Sequence, residues 1–399
     1  MKLKNRINIY CLNDLIIYVF LCATFISCSS IKDFTNENSK LSLKLLYNHE
    51  IPLDETFNGT IIGGISGIDY DRKNDVFYLI SDDRSIRNYA RFYKAKLHIN
   101  QTKIDSLQFL EVIPLKGRTA EKFKNWKVSP FYATDPEDIR YNTDENYFMW
   151  SSEGERLIQK NKAILQNPSV FFMDSKGGYL NELELPDNLK MNLSNKGPRR
   201  NGVLEGLTFS ADYKSIYTSL EMPLYEDGEP ASIDRGALVR IFKFDVKSKK
   251  NNAQYAYKLD PVAHQPIPKD GDNINGISAI LEAGENKLLI VERSYSKGKA
   301  SNTIKVFLCD LNHASNIRNT FSLKKEKGSY EVVSKKLLLN MDNIKIPIDN
   351  IEGICYGKKR ANGNKTVWFV SDNNFSKRQK TQVLVFEWLK SSQKQSNSY

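Results

Sequence analysis

Five segments of this chain repeat one plan: GGISGIDYDRKNDVFYLISDD, TDPEDIRYNTDENYFMWSSEGE, GVLEGLTFSADYKSIYTSLEM, INGISAILEAGENKLLIVERS and NIEGICYGKKRANGNKTVWFVSDN. Each places Ser or Glu at the head of a short strand-like run, then a polar turn, then an apolar run ending in an acidic residue. The equivalent positions are Ser66, Glu137, Glu205, Ser278 and Glu352, separated by 71, 68, 73 and 74 residues. This period exceeds the ~40–50 residues of common propeller repeats, and long connections account for the excess.

Between the hairpins lie further runs with alternating apolar residues, such as ARFYKAKL, LVRIFKFDV and TIKVFLCDL. They are rich in the aromatic and β-branched side chains that suit a pleated surface. Each period therefore holds four strands, and four-stranded units repeated radially make an all-β propeller. Five blades are expected, with six as the alternative. After QVLVFEWL only a polar tail remains, so the fifth unit lacks a strand. The run LSLKLLYNHEIPL near the N-terminus can supply it, closing the ring without an exposed sheet edge.

The chain begins with Lys2, Lys4 and Arg6, an apolar stretch from Leu15 to Ile26, and small residues around Cys28. That is the layout of an export signal, and its apolar run is short of the ~20 residues a spanning helix needs. Phe25-Ile26-Ser27-Cys28 resembles a bacterial lipobox, with Phe25 in place of the usual Leu. The expected organisation is a lipoprotein signal over 1–27, a lipid-attached tether over 28–40, the propeller over 41–390 and a polar tail over 391–399. Plain secretion and an uncleaved anchor are the alternatives. Ser29, rather than Asp, after Cys28 favours the outer membrane.

The net charge is +11, and the signal holds three Lys/Arg and one Asp, leaving +9. These cations are spread along the chain rather than clustered, so a solvated basic surface is expected and no nucleic-acid partner. Beyond the signal and Cys28 only Cys309 and Cys355 remain, and one disulfide is possible. His49, His98, His264 and His313 are scattered, which disfavours zinc. GGISG departs from the nucleophile elbow at Ile68, and no phosphate-binding glycine loop occurs.

In a propeller the first strand of each blade is innermost, so Ser66, Glu137, Glu205, Ser278 and Glu352 should form one ring about the axis. Three converging carboxylates repel unless a cation or an arginine offsets them. Hard oxygen donors suit Ca²⁺. The competing reading is a packing ring, with each Glu paired to an Arg or a backbone N–H. The returning strands should bring Asp82, Asp83, Glu153, Glu221, Glu292 and Asp372 to the same mouth, near Arg84, Arg156 and Arg293.

At GISGIDYD with FYLISDDRS, DPEDIRY, VLEGLTFSAD, NGISAILE with LLIVER, and IEGICYG with FVSDNN, the chain resembles the phytase-like family, esterase-like activity of phytase, from about Ile62 to Phe386. That resemblance implies an exported bacterial protein and phosphoester or ester hydrolysis. The order Ser, Glu, Glu, Ser, Glu is also similar to the axial calcium site of five-bladed calcium-activated nucleotidases. It implies metal ligands Ser66, Glu137, Glu205, Ser278 and Glu352.

Two functions follow as expectations. One is a calcium-dependent hydrolase, monomeric and lipid-anchored through Cys28, acting on a small anionic substrate. In it Arg84, Arg156 and Arg293 bind the anion, and Glu153 and Asp82 handle protons. The other is a non-catalytic lipid-anchored scaffold with a structural metal.

Overall fold

A computed structural model describes residues 42–99, 103–160 and 162–389. Cys28, the export segment, the tether and the polar tail lie outside them. Five four-stranded antiparallel sheets are formed, each starting from one of the repeated hairpins. Blade 1 comprises Ile65–Asp71, Val76–Ser81, Arg91–Ile99 and Ile104–Pro114, and blade 2 Pro136–Asn142, Tyr147–Ser152, Ser169–Met173 and Tyr179–Glu182. Blade 3 comprises Leu204–Phe209, Ser215–Leu220, Leu238–Asp245 and Asn251–Lys258, and blade 4 Asn273–Gly284, Lys287–Ser296, Thr303–Asp310 and Ser334–Asn340. Blade 5 joins Asn350–Tyr356, Thr366–Asp372 and Thr381–Leu389 to the strand Ser42–Ile51.

The first strands of successive blades pack in cyclic order, blade 5 returning to blade 1, so the ring has five blades and not six. Its closure is the one the sequence asked for. Ser42 stands opposite Leu389 and Ile51 opposite Thr381, with the early strand forming the outer edge of the last blade. Between blades the inner strands bury Ile65, Ile68, Leu207, Ile280 and Ile354 completely. Each such side chain contributes roughly 1.5–3 kcal/mol of burial. Cys309 and Cys355 are both free and buried, in separate apolar clusters, so the possible disulfide is not formed.

The inner strands share one irregularity. Pairing with the second strand skips from Ile65 to Gly67, from Leu204 to Gly206, from Ile277 to Ala279 and from Ile351 to Gly353. In blade 2 it skips from Pro136 to Ile139. The bulged residues are thus Ser66, Glu205, Ser278, Glu352 and the pair Glu137-Asp138. A bulge re-aims its extra side chain out of the ladder, and here it does so at the same place in every blade. The glycine that follows permits close approach. A Cβ on Gly67 would meet Asp138 Oδ1 at 2.7 Å, and one on Gly206 would meet the Ile280 amide nitrogen at 2.8 Å.

The extra residue in blade 2 places Asp138 and Arg140 where the inner strands converge. Arg140 Nε donates to Leu207 O at 2.6 Å, Nη1 to Ile68 O at 2.6 Å, and Nη2 to Ile280 O at 3.2 Å and Asp138 Oδ2 at 2.8 Å. Asp138 Oδ2 also accepts the Leu207 amide at 3.0 Å. One buried ion pair therefore joins the backbones of blades 1, 2, 3 and 4. Removing one member of such a pair strands the other charge, at about 3–5 kcal/mol. Arg140→Ala should lower unfolding stability by that order in denaturant titration, whereas Arg118→Ala, which breaks an exposed pair with Glu182, should cost under about 1 kcal/mol. Equal effects of the two would remove Arg140 from this role.

Candidate metal centre

Beside the bulged residues the ring opens into a cavity of about 940 Å³. Nine of its lining side chains are Asp or Glu, against five Arg or Lys. Glu137, Glu205 and Glu352 project into it, as the ring pattern requires. Asp82, Glu153 and Glu221 reach it from the residue following each second strand's inner pairing, since Ile65 pairs with Ser81, Pro136 with Ser152 and Leu204 with Leu220.

Blade 4 breaks this pattern. Its register sets Ile277 opposite Glu292 and Gly276 opposite Arg293. A one-residue slip turns a side chain to the other face, so Arg293 occupies the mouth where a carboxylate was expected. Glu292 instead lies inside the blade, accepting from Tyr257 Oη at 2.7 Å and Lys335 Nζ at 2.6 Å.

Asp135, Glu137 and Glu153 bring carboxylate oxygens within 4.8 Å of one another, and all three residues are buried. Asp135 was not expected here. It sits two residues before Glu137, and the Glu153 amide donates to its backbone carbonyl at 3.1 Å, which brings the inner and second strands of blade 2 together. Glu153 also accepts the Val203 amide at 2.6 Å. Among the described residues the side-chain carboxylates of Glu137 and Glu205 have no hydrogen-bonding or ion-pairing partner.

Arginine answers part of the acid. Arg293 ion-pairs with Glu221 and Glu352, and Asn350 Nδ2 donates to Glu352 Oε1 at 2.8 Å. Arg84 lies 3.4 Å from Asp135 and 3.2 Å from Glu155, and Arg200 adds a contact to Glu155 at 2.8 Å. Arg156 is elsewhere. It belongs to an accessory hairpin, Glu155–Gln159 with Lys162–Gln166, and donates to the carbonyls of Asn192 and Ser194 and to Tyr225 Oη. It does not line the cavity.

Ser66 and Ser278 occupy their ring positions, buried, but neither lines the cavity. Ser66 Oγ donates weakly to Pro136 O at 3.4 Å, while Ser278 Oγ and Asp372 Oδ2 are buried without a hydrogen-bond partner. Asp83, although on the wall, is occupied by Arg91 at 3.0 Å and by loop amides.

Burial raises the pKa of Asp82, Asp135, Glu137, Glu153, Glu205, Glu221, Glu352 and Asp372. Asp135 is pushed up to about 6 against the pull of Arg84, and Glu153 to about 8 with Asp135 and Glu221 adding to burial. Glu137 and Asp82 rise well above the ordinary range, by burial first, then by Glu205 and Asp372 respectively. Glu221 and Glu352 also rise, with Arg293 opposing. Carboxylates from several strands, without a partner at Glu137 and Glu205 and raised first by burial and then by one another's charge, fit a hard divalent cation better than a packing ring, which would leave no carboxylate without a partner. Arg293, in contrast, gives Glu221 and Glu352 the paired arrangement of the packing alternative.

The profile of the phytase-like family, described as esterase-like activity of phytase, matches residues 60–375. The chain belongs to the phytase-like family. A sequence search of curated proteins gives no match. Similar solved structures include a periplasmic gluconolactonase of Pseudomonas aeruginosa, 11% identical, covering 88% of this chain and 99% of that one, with a TM-score of 0.37. An α-L-arabinofuranosidase of Lactobacillus brevis is 9% identical, covering 85% and 92%, with a TM-score of 0.43. An N-acetylgalactosamine deacetylase of F. plautii is 8% identical, covering 88% and 96%, with a TM-score of 0.42.

The raised carboxyl values fix a sign for pH. A folded pKa above the unfolded one means the folded state holds protons more tightly. The cluster's contribution is therefore complete below the unfolded carboxyl range of about 4 and is lost as pH rises through the folded values. In chelator, the melting temperature of this phytase-like protein should fall between about pH 5 and 8, and Glu153→Gln should flatten that fall. Parallel curves for the two proteins would show that Glu153 does not titrate in this way.

Proposed function

We propose that this phytase-like protein is a calcium-dependent hydrolase of phosphoesters or related anionic esters, working at the acidic mouth of the propeller. The observation that carries this reading is the convergence of Asp135, Glu137 and Glu153, which no arginine or lysine fully offsets, on the wall of one large cavity. These three would hold the cation, and Glu205 and Glu352 would add carboxylate oxygens from the same cavity wall, while Ser66 and Ser278, at the equivalent ring positions, stand behind that wall. A bound divalent cation polarises a phosphoryl or acyl oxygen and makes water a better nucleophile near neutral pH.

The chain's own groups would do the rest. Asp82 lines the same cavity outside the three-carboxylate cluster, and its raised affinity for a proton suits transfer to a leaving oxygen. Arg84 and Arg293 are already held by carboxylates, so they fix the acidic walls and temper their charge. Arg87, Lys299 and Arg378 are exposed on the rim and form no ion pair among the described residues. They supply the attraction that brings an anionic substrate toward an acidic floor.

Activity against a panel of phosphoesters and carboxyl esters, with calcium added or chelated, tests this reading. Calcium-dependent turnover is expected, falling at least about 100-fold in Glu137→Gln, together with a calcium-induced rise in melting temperature. Glu184→Gln, on an exposed outer position, should change neither. If calcium raises the melting temperature but no ester is cleaved, the scaffold reading holds. The Arg293 bridge to Glu221 and Glu352 favours that alternative.

We also propose that the chain is exported and lipid-anchored at Cys28, the outer membrane being its location, and that it acts as a monomer. The lipobox-like sequence and Ser29 support this. Metabolic labelling with a fatty acid should mark the protein, and Cys28→Ser should abolish the label. A native N-terminus beginning at another residue would count against it.

A further inference from the structure

The axis has a second mouth. At the turn end of the blades lies a separate cavity of about 770 Å³, lined by residues of all five blades. Four residues after each ring position come Tyr70, Tyr141, Phe209, Glu282 and Tyr356, and every one of them borders it. Tyr213 from the blade 3 turn adds another ring. Arg140 forms its floor, so the ion pair that joins four blades also separates this cavity from the acidic one.

Its charge is opposite to that of the first mouth. Five cationic side chains face three anionic ones, whereas carboxylates dominate the other end. The three acids are locally engaged: Asp69 accepts the Tyr141 amide at 2.7 Å, Glu282 the Gly284 amide at 2.6 Å, and Asp144 the Thr143 hydroxyl at 3.4 Å. Arg140 is consumed by backbone carbonyls and Asp138, and Lys365 Nζ stands 4.5 Å over the Tyr356 ring. Arg72, Lys73 and Lys359 are exposed at the edge, and none forms an ion pair among the described residues.

We propose that this second mouth binds a small anion carried on a ring, with the ring against the tyrosine edges and the anionic group held by Arg72 and Lys359. A volume of this size falls within the roughly 300–1,000 Å³ of small-molecule sites. Aromatic walls with a few convergent polar groups are their usual lining. The cations alone would accept inorganic phosphate. The rings contributed by four equivalent strand positions add the preference for a flat or ring-shaped body. This site is independent of any metal at the acidic mouth and of hydrolysis there.

Phenylphosphonate is a suitable probe, because its carbon–phosphorus bond is not a phosphoester. Calorimetric titration of the full chain in chelator should show saturable binding, with methylphosphonate several-fold weaker for want of the ring. Arg72→Ala combined with Lys359→Ala should weaken phenylphosphonate binding about tenfold, as two exposed charge-assisted contacts would. Both residues are exposed, Arg72 in a turn and Lys359 in a loop, and an unchanged melting temperature would show that the fold is intact. Glu153→Gln at the opposite mouth should leave the affinity unchanged. No saturable binding at millimolar probe, undiminished binding in the double variant, or binding lost in Glu153→Gln would each overturn the proposal.

Discussion

The Asp138–Arg140 pair is the interaction on which the rest of the ring depends. Inner strands of a propeller converge toward the axis, where their outward-facing carbonyls have no ladder partner and water is scarce. Unpaired, each such group would cost of order 1–3 kcal/mol. A single guanidinium with five donors in a fixed fork satisfies carbonyls from three blades besides its own. Asp138 in turn keeps that cation from being buried alone. The bulge that admits an extra residue in blade 2 is what makes room for this pair.

The acidic mouth is the opposite case. There the bulges turn carboxylates toward one space faster than the fold supplies cations. Arg293 resolves two of them because the register of blade 4 differs by one residue, and Arg84 partly resolves Asp135. The three carboxylates that come within 4.8 Å of one another all belong to blade 2. The site is thus offset from the axis toward one blade, although the repeat that generates it is five-fold. Local deviations from the repeat, rather than the repeat itself, decide where chemistry can occur.

Much of this was legible in the sequence. The spacing of Ser66, Glu137, Glu205, Ser278 and Glu352 located the inner strands, and the missing fourth strand of the last unit located the closing strand. Asp135 was not singled out, because it has no counterpart in the other hairpins: Gly64, Val203, Gly276 and Asn350 stand at its equivalents. A departure from the repeat at a position flanking a ring residue was the available signal. Glu292 was expected at the mouth because its neighbours in sequence fit, but a slip of one residue is invisible without the pairing. Arg156 stood near acids in the chain, yet an accessory hairpin carries it to other carbonyls. Arg140 looked like an ordinary strand arginine, since only the convergence of five strands gives it a role.

The closing strand sets an order of events for the newly made chain. Ser42–Ile51 is synthesised among the first described residues, and its partner Thr381–Leu389 among the last. More than three hundred residues must pass before the two can meet, so this contact carries the largest loop-closure cost in the molecule. Until then the third strand of blade 5 presents an open edge and the early strand has nothing to pair with. Blades 1 to 4 are local in sequence and can form first, and the ring becomes continuous only when its two ends find each other. For the same reason, a strand of identical sequence from a neighbouring copy would meet every hydrogen bond of that edge, making crowding during folding the circumstance in which two chains could exchange their clasps.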